Sequence, residues 1–209
     1  MARYIDPKCR QCRHIGEKLF LKGERCYTPR CAVERRKRPP GDQIPRRRRS
    51  SDWAIQLKEK QKARWTYGVL ERQFRNYFDM AKEQPGVTGD VLLQLLERRL
   101  DNVVYRLSFA ESRPQGRQLV NHGHFTVNGK RVNIPSYLVK PGDSIEWKRS
   151  NGNVQEFVQT LTEGIPSRPV PSWLQLDPGD LRGQVESLPI ANEANIGVDA
   201  RLIVEFYSR

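Results

Sequence analysis

Cys9, Cys12, Cys26 and Cys31 are the only cysteines among 209 residues, and they fall in the pattern C-x2-C-x13-C-x4-C. Two close pairs separated by a loop suit tetrahedral thiolate coordination, because each pair supplies two sulfurs from one tight knuckle. Lys8, Arg10, Arg13, Arg25 and Arg30 lie around them, and neighbouring cations lower thiol pKa values and favour thiolates. Zinc is the first expectation. Four thiolates also suit a 4Fe-4S cluster, and spacing does not separate the two. Unligated thiols or facultative disulfides are the competing reading. So polar a segment can bury little core without a crosslink, so stapling is the main role expected of the cysteines.

The rest of the chain offers little further chemistry. No nucleophile–base pair and no Gly-rich cofactor loop stands out in the sequence. Net charge is +13 and pI about 9.9, which points to a polyanionic partner. The charge is concentrated: residues 1–51 carry 16 Lys/Arg against 5 Asp/Glu, whereas 151–209 carry 4 against 8. Arg35-Arg36-Lys37-Arg38, Pro39-Pro40-Gly41 and Arg46-Arg47-Arg48-Arg49 form a linker in which like charges repel and prolines block helix and sheet. A solvated charge run or a localisation signal would look similar. An arm that orders along phosphates accounts better for eight cations within fifteen residues. His14 reads as a surface residue facing such a partner. No apolar run long enough for a membrane span is present, and MARYIDPKCRQC lacks the apolar core of a signal peptide. A cytoplasmic protein with no membrane partner is expected.

Several elements must position these groups. Ser51-Asp52 caps a helix running to about Tyr67 and stopped by Gly68. Its Lys58, Lys60, Lys62 and Arg64 mark it as a polar element. Leu70, Phe74, Tyr77, Phe78 and Ala81 recur at helical spacing and predict a core-facing helix ended by Gln84-Pro85-Gly86. From Thr88, the stripe Leu92, Leu95, Leu96, Leu100, Val103 and Leu107 predicts one continuous helix. Ser112 to Gln115 fits a capping box opening a short helix to about Asn121, capped by His122-Gly123. Asn128-Gly129 between Phe125/Val127 and Val132/Ile134 predicts a type I′ hairpin. Lys140-Pro141-Gly142-Asp143 turns into a strand with Ile145 and Trp147. Arg113, Arg117, His124, Lys130 and Arg131 then sit on turn-side positions suited to phosphate, the first two near a helix N-terminus. Short strands are possible near 157–161 and 173–176. The terminal cluster Leu202, Ile203, Val204, Phe206 and Tyr207 is expected to dock on the rest of the chain.

The run RLDNVVYRLSFA, then SRPQGRQLVNHGHFTVNGKRVNIPSYLVKPGD, resembles the RNA-binding module named after small-subunit ribosomal protein four. The N-terminal MARYIDPKCRQCRHIGEKLFLKGERCYTPRCAVERRKRPPG, the middle EKQKARWTYGVLERQFRNYF and the terminal LIVEFYSR resemble the same ribosomal family, in its cysteine-bearing subset. The resemblance implies an α+β protein. It divides into a metal knuckle and basic arm (1–51), a helical part (52–97), a module of two helices on a small antiparallel sheet (98–161) and a loop-rich docking segment (162–209). It also implies a primary 16S rRNA-binding protein that nucleates the 5′ domain. Its partners would be small-subunit protein five, with which it affects decoding accuracy, other small-subunit proteins, and mRNA where the message enters the subunit. Arg35, Arg36 and Arg46 to Arg49 join the module cations as expected RNA contacts. Pro114 and Gly116 depart from the family's better helix formers, and the glycine alone costs on the order of 1 kcal/mol against alanine. Arg99-Leu100-Asp101 is superficially similar to the catalytic Asp motif of pseudouridine synthases, but it is expected mid-helix with no catalytic domain attached. A zinc-containing DNA regulator would need a recognition helix and a dimer element, and neither is evident.

Overall fold

A computed structural model of the chain describes residues 3–36, 38–41, 51–148, 169–194 and 197–208. Arg46 to Arg49, Lys37 and the possible strand at 157–161 lie outside those residues. The chain forms two compact units: Met1–Leu93 with Asn195–Arg209, and Gln94–Ala194.

In the first unit, α1 (Cys9–Ile15), a 3-10 turn (Gly23–Cys26) and α2 (Ala32–Arg35) wrap a small apolar cluster of Cys12, Ile15, Leu19 and Leu21. α3 (Asp52–Thr66) starts as expected, with the Ser51 hydroxyl accepting from Ala54 N–H at 3.3 Å. It is less of a surface element than its lysines suggest. Lys60 and Lys62 are buried, with Lys60 Nζ 2.7 Å from Glu71 and Lys62 paired with Glu17 and donating to the Gly197 carbonyl. α4 (Glu71–Glu83) buries the aromatic stripe Phe74, Tyr77 and Phe78. α8 (Ala200–Tyr207), capped by the Asp199 carboxylate, packs on α3. Its Tyr207 ring lies 4.6 Å from Phe78 and 6.3 Å from Phe74, and its Phe206 ring 6.2 Å from Trp53. The expected docking of the terminal cluster is therefore observed.

The helix expected to run on from Thr88 is two helices. α5 (Thr88–Glu97) ends and α6 (Leu100–Arg106) begins across Arg99, whose backbone is extended at φ −65°, ψ 133°. The break is held by the segment before the next turn. Leu100 N–H donates to Tyr137 O at 2.8 Å, Val139 N–H donates to Arg98 O at 2.9 Å, and Arg99 bridges Leu138. Arg99-Leu100-Asp101 is thus a helix start rather than a mid-helix tripeptide. α7 (Arg113–His122) is less conventionally capped than expected. The Ser112 side chain makes no cap hydrogen bond, and Gln115 Oε1 instead accepts from Glu111 N–H at 2.8 Å.

α6 and α7 pack together in the unit whose antiparallel sheet is ordered β2-β1-β3-β5-β4. β1 (Phe125–Val127) and β2 (Lys130–Arg131) form the hairpin, with Asn128 at φ 50° and Gly129 at φ 75°, as a type I′ turn requires. β2 stops at Arg131, and Ile134 is exposed. β3 (Ser144–Trp147) joins β1 to β5 (Arg182–Val185), and β4 (Leu174–Asp177) forms the far edge. The last two strands come from beyond residue 161, the expected end of the module. Phe109, Phe125, Ile145, Trp147 and Trp173 sit in a core with Leu100, Val103, Val104 and Leu107.

Candidate RNA interface

The hairpin carries two of the module's exposed cations, Lys130 and Arg131. α7 ends at Gly123 in the left-handed region, φ 73°, and the chain enters β1 through His124. Arg131 folds back over Gly123 and donates from Nη2 to the His122 carbonyl at 3.1 Å. A Cβ at Gly123 would stand 2.2 Å from Arg131 Nε, so the glycine both caps α7 and seats the guanidinium. His124 stacks on Trp147 with ring centroids 5.7 Å apart. Burial, then the nearby His122 and Arg131, lowers its pKa below the usual 6.5. Lys130, Arg131 and Lys148 are exposed, and Lys148 N–H donates to His124 O at 2.7 Å. Lys148 was not foreseen. Its signal was a cation immediately after a strand that pairs with β1.

The turn's shape is fixed by a polar lock. Asn128 Nδ2 donates to Asp143 Oδ1 at 2.8 Å, Ser144 N–H donates to Asn128 Oδ1 at 2.9 Å, and Lys140 N–H donates to Asp143 Oδ2 at 2.8 Å. The hairpin therefore presents its cations on a rigid support, which lowers the entropy lost when they meet a phosphate backbone.

Arg113 and Arg117 do not join this face. They are buried, with side chains 10% and 6% exposed. Arg117 Nη1 lies 3.0 Å from Asp101 Oδ2. Arg113 Nε donates to Asn102 Oδ1 at 2.7 Å, and its guanidinium sits 4.6 Å above the Tyr105 ring. Asp101 is also gripped by Arg99 through Nε and Nη2 at 3.1 and 2.7 Å, and Glu97 receives two 2.9 Å hydrogen bonds from Arg106. The expectation that Arg113 and Arg117 face phosphate is corrected: α6 and α5 bring carboxylates to them that spacing alone could not reveal. Asp101, in the tripeptide superficially similar to a catalytic motif, is ion-paired with both Arg99 and Arg117.

In the other unit, Arg35 and Arg36 are exposed at and just beyond the end of α2. Arg13 secures the chain that follows, donating to the carbonyls of Arg38 and Pro39 at 2.9 and 3.1 Å. The four thiols are free of disulfides, and Cys12, Cys26 and Cys31 are buried. Burial, then repulsion from the other three thiols, raises the pKa of Cys12 against a hydrogen bond from the Leu19 backbone. Burial also raises that of Cys26, whose sulfur accepts from Lys22 N–H at 3.4 Å. The donors gather in one neighbourhood and backbone N–H groups are aimed at sulfur, as a thiolate ligand needs. Among the described residues, however, no group of three or more His, Cys, Asp or Glu stands in a metal-holding arrangement.

Comparison with known proteins divides the chain near the same first boundary. Residues 3–97 match the ribosomal protein S4/S9 N-terminal domain, and residues 98–145 match the S4 domain. The chain is 52% identical over 209 residues to small ribosomal subunit protein uS4 of Geotalea daltonii, with all of both chains covered. It is 54% identical over 210 residues to that of Thermus thermophilus, and 54% over 212 to uS4A of Symbiobacterium thermophilum, again across the whole of each chain. Two domain matches in register with the fold, joined to end-to-end identity above one half, place this chain in the uS4 family of small ribosomal subunit proteins.

Proposed function

We propose that this chain is a structural, non-catalytic constituent of the small ribosomal subunit in the cytoplasm, and that it grips 16S rRNA. The reading is carried by whole-length kinship with uS4 proteins, and the rigid hairpin that bears Lys130 and Arg131, with Lys148 just after the adjacent strand, suits it. Cations held on a fixed support meet a phosphate backbone with salt-dependent affinity, and a shaped surface suits a folded RNA better than a regular duplex. Arg35, Arg36 and the arm Arg46 to Arg49 extend the contact from the other unit. Within the same proposal, the protein nucleates the 5′ domain, lies beside small-subunit protein five and other subunit proteins, and contributes to decoding accuracy near incoming mRNA.

Binding of a 16S 5′-domain transcript and of duplex DNA, compared from low to high salt, tests the central claim. Preference for the RNA and a steep salt slope are expected, and Lys130→Ala with Arg131→Ala should flatten the slope by about 1 per residue removed. Equal affinity for duplex DNA at matched salt would overturn the reading. Zinc bound by Cys9, Cys12, Cys26 and Cys31 is the accompanying proposal, supported by the pairing of the cysteines in sequence, the burial of three of them and the N–H bond to Cys26. When bound it would crosslink the two knuckles. Elemental analysis of protein purified without oxygen should find about one zinc per chain. Iron or no metal would refute zinc.

A further inference from the structure

A second aromatic and cationic site lies in the first unit, apart from the hairpin face. A cavity of about 490 Å³ opens between the N-terminal knuckle and α3, a size typical of small-molecule pockets. Tyr4, His14 and Trp65 supply ring surfaces, and Arg10 and Lys58 supply charge; Arg64 also lines it but is paired with Glu71 at 3.2 Å, and no carboxylate is among the described lining residues. Trp65 lines the cavity, meeting His14 edge-on with centroids 5.5 Å apart and carrying the Arg64 guanidinium 5.9 Å from its ring centroid. Arg10, His14 and Lys58 are exposed, while Trp65, Gln61 and Arg64 are half-buried. Gln61 Oε1 and Arg64 Nε are both covered and have no hydrogen-bond partner among the described residues. An unsatisfied buried amide loses little by turning into an occupied cavity and bonding there.

From this combination we infer that the cavity receives one unstacked RNA nucleotide, its base against Trp65 and its phosphate between Arg10 and Lys58. Every base has a π-face, so an indole platform takes a base without regard to sequence, and the surrounding cations match one phosphodiester. A protein helix or strand would leave the two exposed cations facing an apolar or neutral occupant, whereas a nucleotide answers rings and charges together. Gln61 would read polar edges of the base. The inference rests on the proposed rRNA binding and adds to it a place where the protein pulls a single base from its stack.

The full-length protein bound to a 16S 5′-domain transcript provides the test. Ultraviolet crosslinking and peptide mass spectrometry should find a single nucleotide attached within residues 3–14 or 54–65. Trp65→Ala should weaken binding about 5- to 100-fold, the range of one lost base–aromatic stack, and Trp65→Phe should restore most of it. Arg10→Gln with Lys58→Gln, both at exposed positions, should weaken binding while the thermal midpoint stays unchanged. Unaltered affinity in these variants with no crosslink in those peptides would overturn the pocket and leave the hairpin reading intact. Failure of the wild-type protein to bind the transcript would overturn both.

Discussion

Replacing Gly116 by alanine sets two effects of similar size against each other. In an isolated helix the change stabilises by about 1 kcal/mol, because glycine gives up more backbone freedom than alanine. Here a Cβ at 116 would stand 2.8 Å from the Asp101 carbonyl oxygen, with Ala110 Cβ and Val104 Cγ1 at 3.5 Å. The 2.8 Å neighbour is backbone, and it cannot easily retreat. Asp101 N–H is held to Pro135 O at 3.2 Å and its carboxylate to Arg99 and Arg117. Forcing extra volume into such a contact costs about 1–3 kcal/mol, so the clash outweighs the propensity and Gly116→Ala should destabilise by about 1 kcal/mol. At about 2–4 °C per kcal/mol for chains of this size, Tm should fall by a few degrees. Trp147 and Trp173 both lie in the core of this unit, so their fluorescence reports the relevant unfolding. Gln118→Ala, on the exposed face of the same helix, controls for propensity and should leave Tm nearly unchanged. A higher Tm for Gly116→Ala would show that α6 and α7 are not held at this separation.

Three further outcomes are expected. Asp101→Ala removes the carboxylate that both Arg99 and Arg117 contact and should cost about 3–5 kcal/mol in denaturant titration; a loss below about 1 kcal/mol would mean that the arginines are not held this way. Burial pushes the Glu71 carboxyl up, but hydrogen bonds from Lys60 and Tyr207 and the charges of Lys60 and Arg64 outweigh it, so its pKa lies below the ordinary 4.5. Its stabilising contribution is therefore complete above that value and lost as pH falls through the lowered one. Tm measured from pH 7 to 3 should drop more steeply for wild type than for Glu71→Gln, and parallel curves would refute the linkage. Gly123→Ala should cost about 1 kcal/mol through its left-handed backbone and weaken RNA binding by displacing Arg131; unchanged affinity would show that the seat of that guanidinium does not matter.

Patterns set by local periodicity were legible in the sequence. Phe74, Tyr77 and Phe78 share one helix face because their spacing follows the turn of a helix, and Asn128-Gly129 announces its hairpin because few residue pairs accept two left-handed conformations. Contacts made by distant residues were not legible. The leucine stripe runs through 96, 100, 103 and 107 without interruption, yet the hydrogen bonds to Tyr137 and from Val139 split the helix at Arg99. Arg113 and Arg117 show their charge in sequence but not the carboxylates that neutralise it. Gly116 reads as a weak helix former until the carbonyl of Asp101 is placed against it. Arg182-Gly183-Gln184-Val185 carries almost no strand signal, and a Cβ at Gly183 would stand 2.4 Å from Leu107 Cδ1, so that strand depends on a partner far away in the chain.

The docking of α8 on α3 also sets an order of events during synthesis. The second unit is continuous from 94 to 194, whereas the first is closed by residues 195–209. At 5–20 residues per second, roughly 6–25 s separate completion of α4 from completion of α8. Through that interval Phe74 and Phe78 lack the Tyr207 ring that later covers them. The inserted unit has all its parts first and can mature while the surrounding one waits. The nascent chain is thus most exposed to aggregation, and most in need of chaperone cover, at a helix made long before its partner.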